Sequence, residues 1–235
     1  MQRILKIILC GEGGVGKTSF LNAFQEGKYK ENISMTVGPQ PRTLHFERKN
    51  KEKLSFQIWD LGGQQHFAGI EGLYQEFCRG AKSAIVCFDM GEPDTIEKLP
   101  EWLKKLPEGI PKILVGTKED TAKDIKDIVE SILMAFGFHF HFDCYLEVSA
   151  KENLSSIGEI FKKLLIQTCQ IDEEESEQII QDHFQSFNLQ FTKDELKIAE
   201  QELEPIEQES CLTKQEVKNT AQEMENIAFD SEYSK

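Results

Sequence analysis

The sequence predicts an α/β fold in which helices cover both faces of a mostly parallel sheet. Apolar runs of strand length alternate with segments of helical pattern along the first 170 residues, which is typical of parallel strands joined by crossover helices. A Gly-rich loop joins the first apolar run to the first helical segment. Ligands of such folds bind beyond the carboxyl ends of the strands, so we expect the functional residues in those loops.

Six strands and four helices are predicted in this part of the chain. The strands cover residues 5–10, 44–46, 54–58, 83–88, 112–116 and 145–148. The second and third strands alternate apolar with polar residues around a polar turn, so they form an antiparallel hairpin. The helices begin near Ser19 and at Leu99, the latter ending at Pro107, and cover 123–136 and 157–168.

The distribution of charge divides the chain near Ile171. Residues 171–235 contain 18 Asp or Glu and 5 Lys or Arg, a balance of −13 within a net charge of −14. We therefore predict a domain over residues 1–170 and an acidic extension over 171–235. This balance argues against nucleic-acid binding, which needs a basic face.

Composition favours a soluble, cytoplasmic protein. No apolar stretch approaches the roughly 20 residues that span a bilayer, and the amino terminus lacks the features of a signal peptide. The six cysteines form no CxxC pair, and neither terminus carries a lipidation motif. Peripheral membrane association is expected only through a partner.

A phosphate-binding loop is predicted between the first strand and the first helix. Gly11-Glu12-Gly13-Gly14-Val15-Gly16-Lys17-Thr18 matches the P-loop pattern. Its glycines let backbone amides turn toward phosphates, and the helix amino terminus adds partial positive charge. Lys17 is expected against the outer phosphates and the Thr18 hydroxyl on Mg²⁺. The loop alone leaves kinases, ATPases and GTPases open.

Two later motifs favour guanine over adenine. Asp120 in Thr117-Lys118-Glu119-Asp120 follows a strand, and its carboxylate can accept hydrogen bonds from the ring N–H and exocyclic amine of guanine. Adenine presents an acceptor and no amine there, so a carboxylate would discriminate strongly against it. Ser149-Ala150-Lys151 closes the next strand, where a backbone amide can meet the guanine oxygen.

Over about residues 3–169 the chain resembles a Ras-superfamily small GTPase. The P-loop is followed in order by Met35-Thr36-Val37-Gly38, Asp60-Leu61-Gly62-Gly63-Gln64, Thr117-Lys118-Glu119-Asp120 and Ser149-Ala150-Lys151. The resemblance implies a P-loop NTPase fold of the Ras-like G-domain type, a six-stranded sheet with a short helical extension. Thr117 stands where the family most often has Asn. Arf-like, Rab-like and Rho-like motifs are mixed, so no subfamily is assigned.

The resemblance also implies a set of site residues. Thr18, Thr36 and, through water, Asp60 would hold Mg²⁺, while Tyr29 would stack on the base and Lys118 lie along its face. The nucleotide, GTP or GDP, would be bound by Glu12, Gly13, Gly14, Val15, Gly16, Lys17, Thr18, Ser19, Tyr29, Thr36, Gly63, Thr117, Lys118, Asp120, Ser149, Ala150 and Lys151.

Catalysis is assigned to Gln64, Lys17 and Thr36. Gln64 would orient the attacking water, and Lys17 would stabilise the leaving group. Loss of the γ-phosphate would release the segments around Thr36 and Gly63, which form the two switches. Effectors, exchange factors and GTPase-activating proteins would read these segments, in signalling or vesicle trafficking, through a candidate surface at Phe67, Ile70, Leu73 and Tyr74.

Two rival functions stay open. The first is a scaffold that binds guanine nucleotide without hydrolysing it and acts through its tail. The second is a P-loop kinase or ATPase, which Asp120 and Ser149-Ala150-Lys151 disfavour.

The acidic extension contains helical patterns. Capping boxes with hydrophobic staples begin predicted helices at 193–204 and 214–228, and Ile179, Ile180, Phe184 and Phe187 recur at helical spacing. Such short helices would pack on the core, on each other or on a second chain; a disordered tail is the alternative.

The histidines of Phe138-His139-Phe140-His141-Phe142 could hold a metal, although packed aromatic side chains are the simpler interpretation.

Overall fold

A six-stranded sheet forms the centre of the molecule. The computed structural model describes residues 2–31, 33–63, 71–122, 125–137 and 142–187. The sheet has the order β2-β3-β1-β4-β5-β6. Within this sheet of described residues, β2 pairs antiparallel with β3 and all other neighbours are parallel, which confirms the mostly parallel sheet and the hairpin. Its strands are β1 (Gln2–Gly11), β2 (Gln40–Glu47), β3 (Lys53–Asp60), β4 (Ser83–Asp89), β5 (Lys112–Thr117) and β6 (Cys144–Val148).

Helices follow the strands in the predicted order. They are α1 (Lys17–Glu26), α2 (Glu71–Cys78), α3 (Leu99–Leu103), α4 (Lys126–Gly137), α5 (Leu154–Cys169) and α6 over residues 173–187. Helix α3 is shorter than predicted, because after Leu103 the chain continues in i→i+3 turns, with the Lys105 amide donating to Trp102 and the Leu106 amide to Leu103. Helix α5 starts earlier than predicted, because the Asn153 side chain caps it by accepting from the Ser156 amide at 3.2 Å.

The two faces of the sheet carry separate apolar cores. Ile7 and Leu9 of β1 face one core with α1 and α5, whereas Ile8 and Cys10 face the other with α2, α3 and α4. Successive residues of a strand point to opposite faces. A strand that is buried on both sides therefore needs the continuous apolar run seen in the sequence.

The strand register brings the functional loops to one edge of the sheet. Leu9 pairs with Asp60 between β1 and β3, and Asp89 pairs with Thr117 between β4 and β5. Thr117 in turn pairs with Val148 of β6. The P-loop and the residues after β3, β5 and β6 thus begin side by side.

The first helix of the acidic extension packs on the domain. The compact unit runs from Met1 to Phe187 and so includes α6. Ile179 and Ile180 are buried in the core beneath α1 and α5. At the other end of α6, His183 stacks on Phe24 with ring centroids 4.2 Å apart, and its Nε2 donates to the Phe24 carbonyl at 3.0 Å.

Several sequence predictions lie outside the described residues. These are the extension helices at 193–204 and 214–228 and both histidines of the aromatic segment. Phe142, the end of that segment, is half-buried against the second core. Among the described residues no cluster of His, Cys, Asp and Glu is arranged to hold a metal ion, and no helix is long and apolar enough to cross a membrane.

We expect the docking of α6 to weaken in mild acid. Burial lowers the pKa of His183 in the folded protein from its ordinary value of 6.5. The unfolded chain therefore takes up the proton first, so this stability is present above about pH 6.5 and is lost as the pH falls through the lowered pKa. Urea unfolding of wild type and His183→Gln between pH 5 and 8 measures how the free energy of unfolding depends on pH.

The variant should show a flatter dependence of unfolding free energy on pH than wild type. His45→Gln, a change at an exposed histidine on β2, is the matched control and should keep the wild-type dependence. Equal pH dependence in wild type and His183→Gln would contradict the assignment.

Candidate functional site

The P-loop wraps around the side chain of its own lysine. Gly14 and Gly16 adopt positive φ angles of 79° and 93°, which only glycine adopts readily, and the loop then enters α1 at Lys17. The Lys17 ammonium is buried and donates to the carbonyls of Gly11 at 2.9 Å and Glu12 at 2.8 Å. Burial lowers the pKa of this group. The loop thus holds a buried positive charge at the mouth of a cleft.

Three oxygens from separate segments meet beside this lysine. The Thr18 hydroxyl lies 2.6 Å from the Thr36 hydroxyl and donates to Asp60 Oδ2 at 2.5 Å. Asp60 is fully buried, and its second oxygen, Oδ1, has no hydrogen-bond partner among the described residues. Burial raises the pKa of this carboxyl. An oxygen-only set with one unsatisfied carboxylate oxygen fits Mg²⁺, which prefers such ligands.

The segment after β3 lies directly on the P-loop. A Cβ atom on Gly63 would come within 2.1 Å of the Gly13 nitrogen, and one on Gly62 within 2.6 Å of the Thr36 carbonyl oxygen. These glycines therefore permit a backbone contact that any side chain would block. The predicted catalytic residue Gln64 comes next in the chain and lies outside the described residues.

The residues after β5 and β6 form the other end of the site. Asp120 Oδ1 accepts from the Ser149 hydroxyl at 2.6 Å, which itself accepts from the Glu152 amide. The Thr117 hydroxyl donates to the carbonyls of Val15 and Phe88. Threonine in place of the family's usual Asn thus ties β4 and β5 to the P-loop.

Asp89 is a site residue that the sequence prediction missed. It is buried at the end of β4, and its Oδ2 lies 2.6 Å from Lys118 Nζ. Its Oδ1 accepts from the Gly91 amide at 2.9 Å. Asp89 thereby holds Lys118, which has a left-handed backbone with φ 56°. The sequence signal that could have identified Asp89 is its position at the carboxyl end of a buried strand.

Many of the predicted site residues line one or the other of two cavities. A cavity of about 270 Å³ contains residues of the P-loop with Tyr29, Thr36, Gly63 and Lys118. A second, of about 300 Å³, contains Asp120 and Ser149. The side chains of Ala150 and Lys151 line neither, since Ala150 packs against the core and Lys151 is exposed.

The predicted effector surface is wrong at Tyr74. Its ring is buried against Trp102, with centroids 5.6 Å apart, and its hydroxyl donates to the Gly62 carbonyl at 3.0 Å. Tyr74 therefore anchors the segment after β3 from inside the domain. Phe67 and Ile70 lie outside the described residues, as does the side chain of Leu73.

Comparison with known proteins identifies a family and several relatives of this chain. The model of the Ras family matches residues 6–170. The chain is 33% identical over 165 residues to the human Ras-related protein Rab-12, covering 68% of this chain and 65% of that protein. It is 34% identical to human Rab-22A, covering 68% and 80%, and 30% identical to the Volvox carteri GTP-binding protein yptV5, covering 66% and 77%.

The match thus spans slightly less than two thirds of Rab-12 and more of the other two relatives. The residues matched by the family model include the P-loop and the segments at Asp120 and Ser149, which line the two cavities, and the strands that precede them. The chain belongs to the Ras family of small GTPases, a class of GTP hydrolases, and is similar to its Rab-type members.

Proposed function

We propose that this protein binds GTP and GDP with Mg²⁺, hydrolyses GTP to GDP and phosphate, and signals the bound nucleotide through the segments around Thr36 and Gly63. The observation that carries this proposal is the meeting of Thr18, Thr36 and Asp60 beside the buried Lys17. These residues belong to three segments that a metal and a phosphate group would link. The Asp120–Ser149 pair supports guanine as the base.

In the proposed reaction a water oxygen attacks the γ-phosphorus, and the bond to the β–γ bridging oxygen breaks with its electron pair left on GDP. The proton of the attacking water passes to the phosphate product or to solvent. Lys17, held over the loop by the Gly11 and Glu12 carbonyls, stabilises negative charge on the phosphate oxygens. Gln64 orients the water, and the Gly63 amide contacts the γ-phosphate. Mg²⁺ held by Thr18, Thr36 and Asp60 would supply further positive charge.

Hydrolysis without a partner is expected to be slow. The chain has four arginines, all among the described residues, and none of them lines the cavity with the P-loop. Arg3 donates to the Thr168 carbonyl, Arg42 to Asn22, Arg48 to Glu175, and Arg79 lies near Glu76. An arginine that reaches the transition state accelerates such enzymes by about 10³ to 10⁵. We therefore propose that an activating protein supplies this charge.

Effectors and exchange factors would contact the segment around Thr36. Met35 and Val37 beside it are 58% and 63% exposed. Thr36 would bind the metal only in one nucleotide state, so the apolar side chains on both sides of it offer a surface whose position depends on the nucleotide.

We assign residues 1–170 to the GTP-binding domain and 171–235 to the acidic extension.

The rival function is a scaffold that binds guanine nucleotide without hydrolysing it. Single-turnover hydrolysis of radiolabelled GTP with Mg²⁺ separates the two functions. Wild type should release phosphate slowly, and Gln64→Leu should lower the rate by at least about tenfold, because the water loses its orienting amide. Gln65→Leu changes the neighbouring glutamine and should keep the wild-type rate. Bound nucleotide without hydrolysis in all three proteins would favour the scaffold.

Removing the Thr18 hydroxyl should abolish the effect of Mg²⁺ on nucleotide release. We expect EDTA to accelerate release of a fluorescent GDP from wild type by about tenfold or more, because the ion joins phosphate to protein. In Thr18→Ala, release should be fast with or without EDTA. Thr43→Ala on β2 is the control and should behave as wild type. A Thr18→Ala protein that still responds fully to EDTA would contradict the metal site.

Gly63→Ala should separate binding from hydrolysis. The added Cβ would meet the Gly13 nitrogen at 2.1 Å, so the segment that carries Gln64 must move away from the P-loop. We expect GTP hydrolysis to fall by about tenfold or more while GDP affinity changes little, since the base-side residues are untouched. Gly109→Ala, where an added Cβ meets no atom within 4 Å, should hydrolyse GTP normally. Normal hydrolysis by Gly63→Ala would exclude this role.

A further inference from the structure

The end of α1 farthest from the P-loop is held by α6. The Phe24 ring, in the last turns of α1, stacks on Phe161 of α5 at 3.8 Å and on His183 of α6 at 4.2 Å. His183 also donates to the Phe24 carbonyl, one of the four at a helix end without an intrahelical partner. Helix α6 therefore adds a hydrogen bond and a ring contact to a helix end that Gly27 already caps in the left-handed conformation.

The residue that ends α1 is in contact with α6 as well. Gly27 adopts a left-handed conformation with φ 66°, and a Cβ there would come within 2.9 Å of the Phe187 ring. Phe187 thus lies directly on the backbone at which the chain leaves the helix. Tyr29 follows two residues later and lines the cavity that contains the P-loop.

Helix α6 is itself anchored elsewhere on the domain. Near its amino end the buried Glu175 accepts from Arg48 Nη2 at 2.8 Å, from Arg48 Nε at 3.2 Å and from the Lys49 amide at 3.1 Å. Ile180 and Phe184 pack so tightly on Gly158 of α5 that a Cβ there would come within 3.0 Å of either side chain. The contact with α1 therefore connects its end to the hairpin and to α5.

From this geometry we infer that His183 and Phe187 are positioning residues for the nucleotide. By fixing Gly27 they hold the start of the segment that carries Tyr29 and Thr36 over the cavity, and they slow nucleotide release. A segment that leaves a helix through one left-handed glycine can swing about that residue, so its freedom depends on what lies against the glycine. The inference rests on the proposed nucleotide site and assigns the first helix of the extension a role in exchange.

The test measures release of a fluorescent GDP from the full chain after addition of excess unlabelled GDP. Phe187→Ala should release nucleotide about tenfold faster, because local opening at Gly27 becomes easier. Gln185→Ala, at an exposed position of the same helix, is the matched control and should release at the wild-type rate. Phe187→Leu keeps an apolar contact and should restore most of the slow release.

His183→Ala provides a second route to the same end of α1 if Phe187→Ala does not fold. It should also accelerate release, and Mg²⁺-dependent binding should persist in both variants. Wild-type release rates in Phe187→Ala and His183→Ala would overturn the inference, as would equal acceleration by Gln185→Ala. If the wild-type chain retains no fluorescent GDP, the proposed function itself is wrong, which distinguishes the two failures.

Discussion

The geometry of the site depends on one carboxylate that has no contact with solvent. Asp60 ends β3 beside the end of β1, and among the described residues the Thr18 hydroxyl satisfies one of its oxygens and nothing satisfies the other. A buried charge is costly unless it is paired and hydrogen-bonded. Lys17 and Arg42 are nearby charges that favour its ionised form, yet the Lys17 ammonium donates to loop carbonyls and the Arg42 guanidinium to Asn22. A divalent cation at the free oxygen would supply the missing compensation.

This constraint explains why three segments converge. Thr18 belongs to α1, Thr36 to the segment after it, and Asp60 to β3, so the oxygen cluster joins two rigid elements to one loop. After Asp60, Gly62 lies on the backbone at Thr36 and Gly63 on that of the P-loop, and the Tyr74 hydroxyl donates to the Gly62 carbonyl. A change in charge at the cavity would therefore be transmitted to both loops through direct contacts, with no long pathway required.

Much of the fold and part of the site could be predicted because their signals are local. Apolar runs identified the strands, and parallel strands necessarily bring the P-loop, Asp60, Thr117 and Ser149 to one edge. Contacts between distant segments carry no such pattern. The burial of Tyr74 depends on Trp102, and the role of Asp89 depends on Lys118. Arg48 and Glu175 are 127 residues apart in the sequence, so the local sequence around either residue could not predict their ion pair.

The docking of α6 also cannot be explained by the acidity of the extension. Residues 1–170 are nearly neutral, so they offer little general attraction to a negative helix. Exposed pairs such as Lys49–Glu174, in which the glutamate side chain is 89% exposed, contribute little.

Glu175 differs because its side chain is 9% exposed and meets Arg48 through two nitrogens. The pair lowers the pKa of Glu175 and raises that of Arg48. Loss of either partner would leave a poorly solvated charge, which costs far more than an exposed pair contributes. The position of α6 therefore depends on the Arg48–Glu175 pair at the hairpin, the Lys162–Glu177 pair with α5 and the apolar contacts of its buried face.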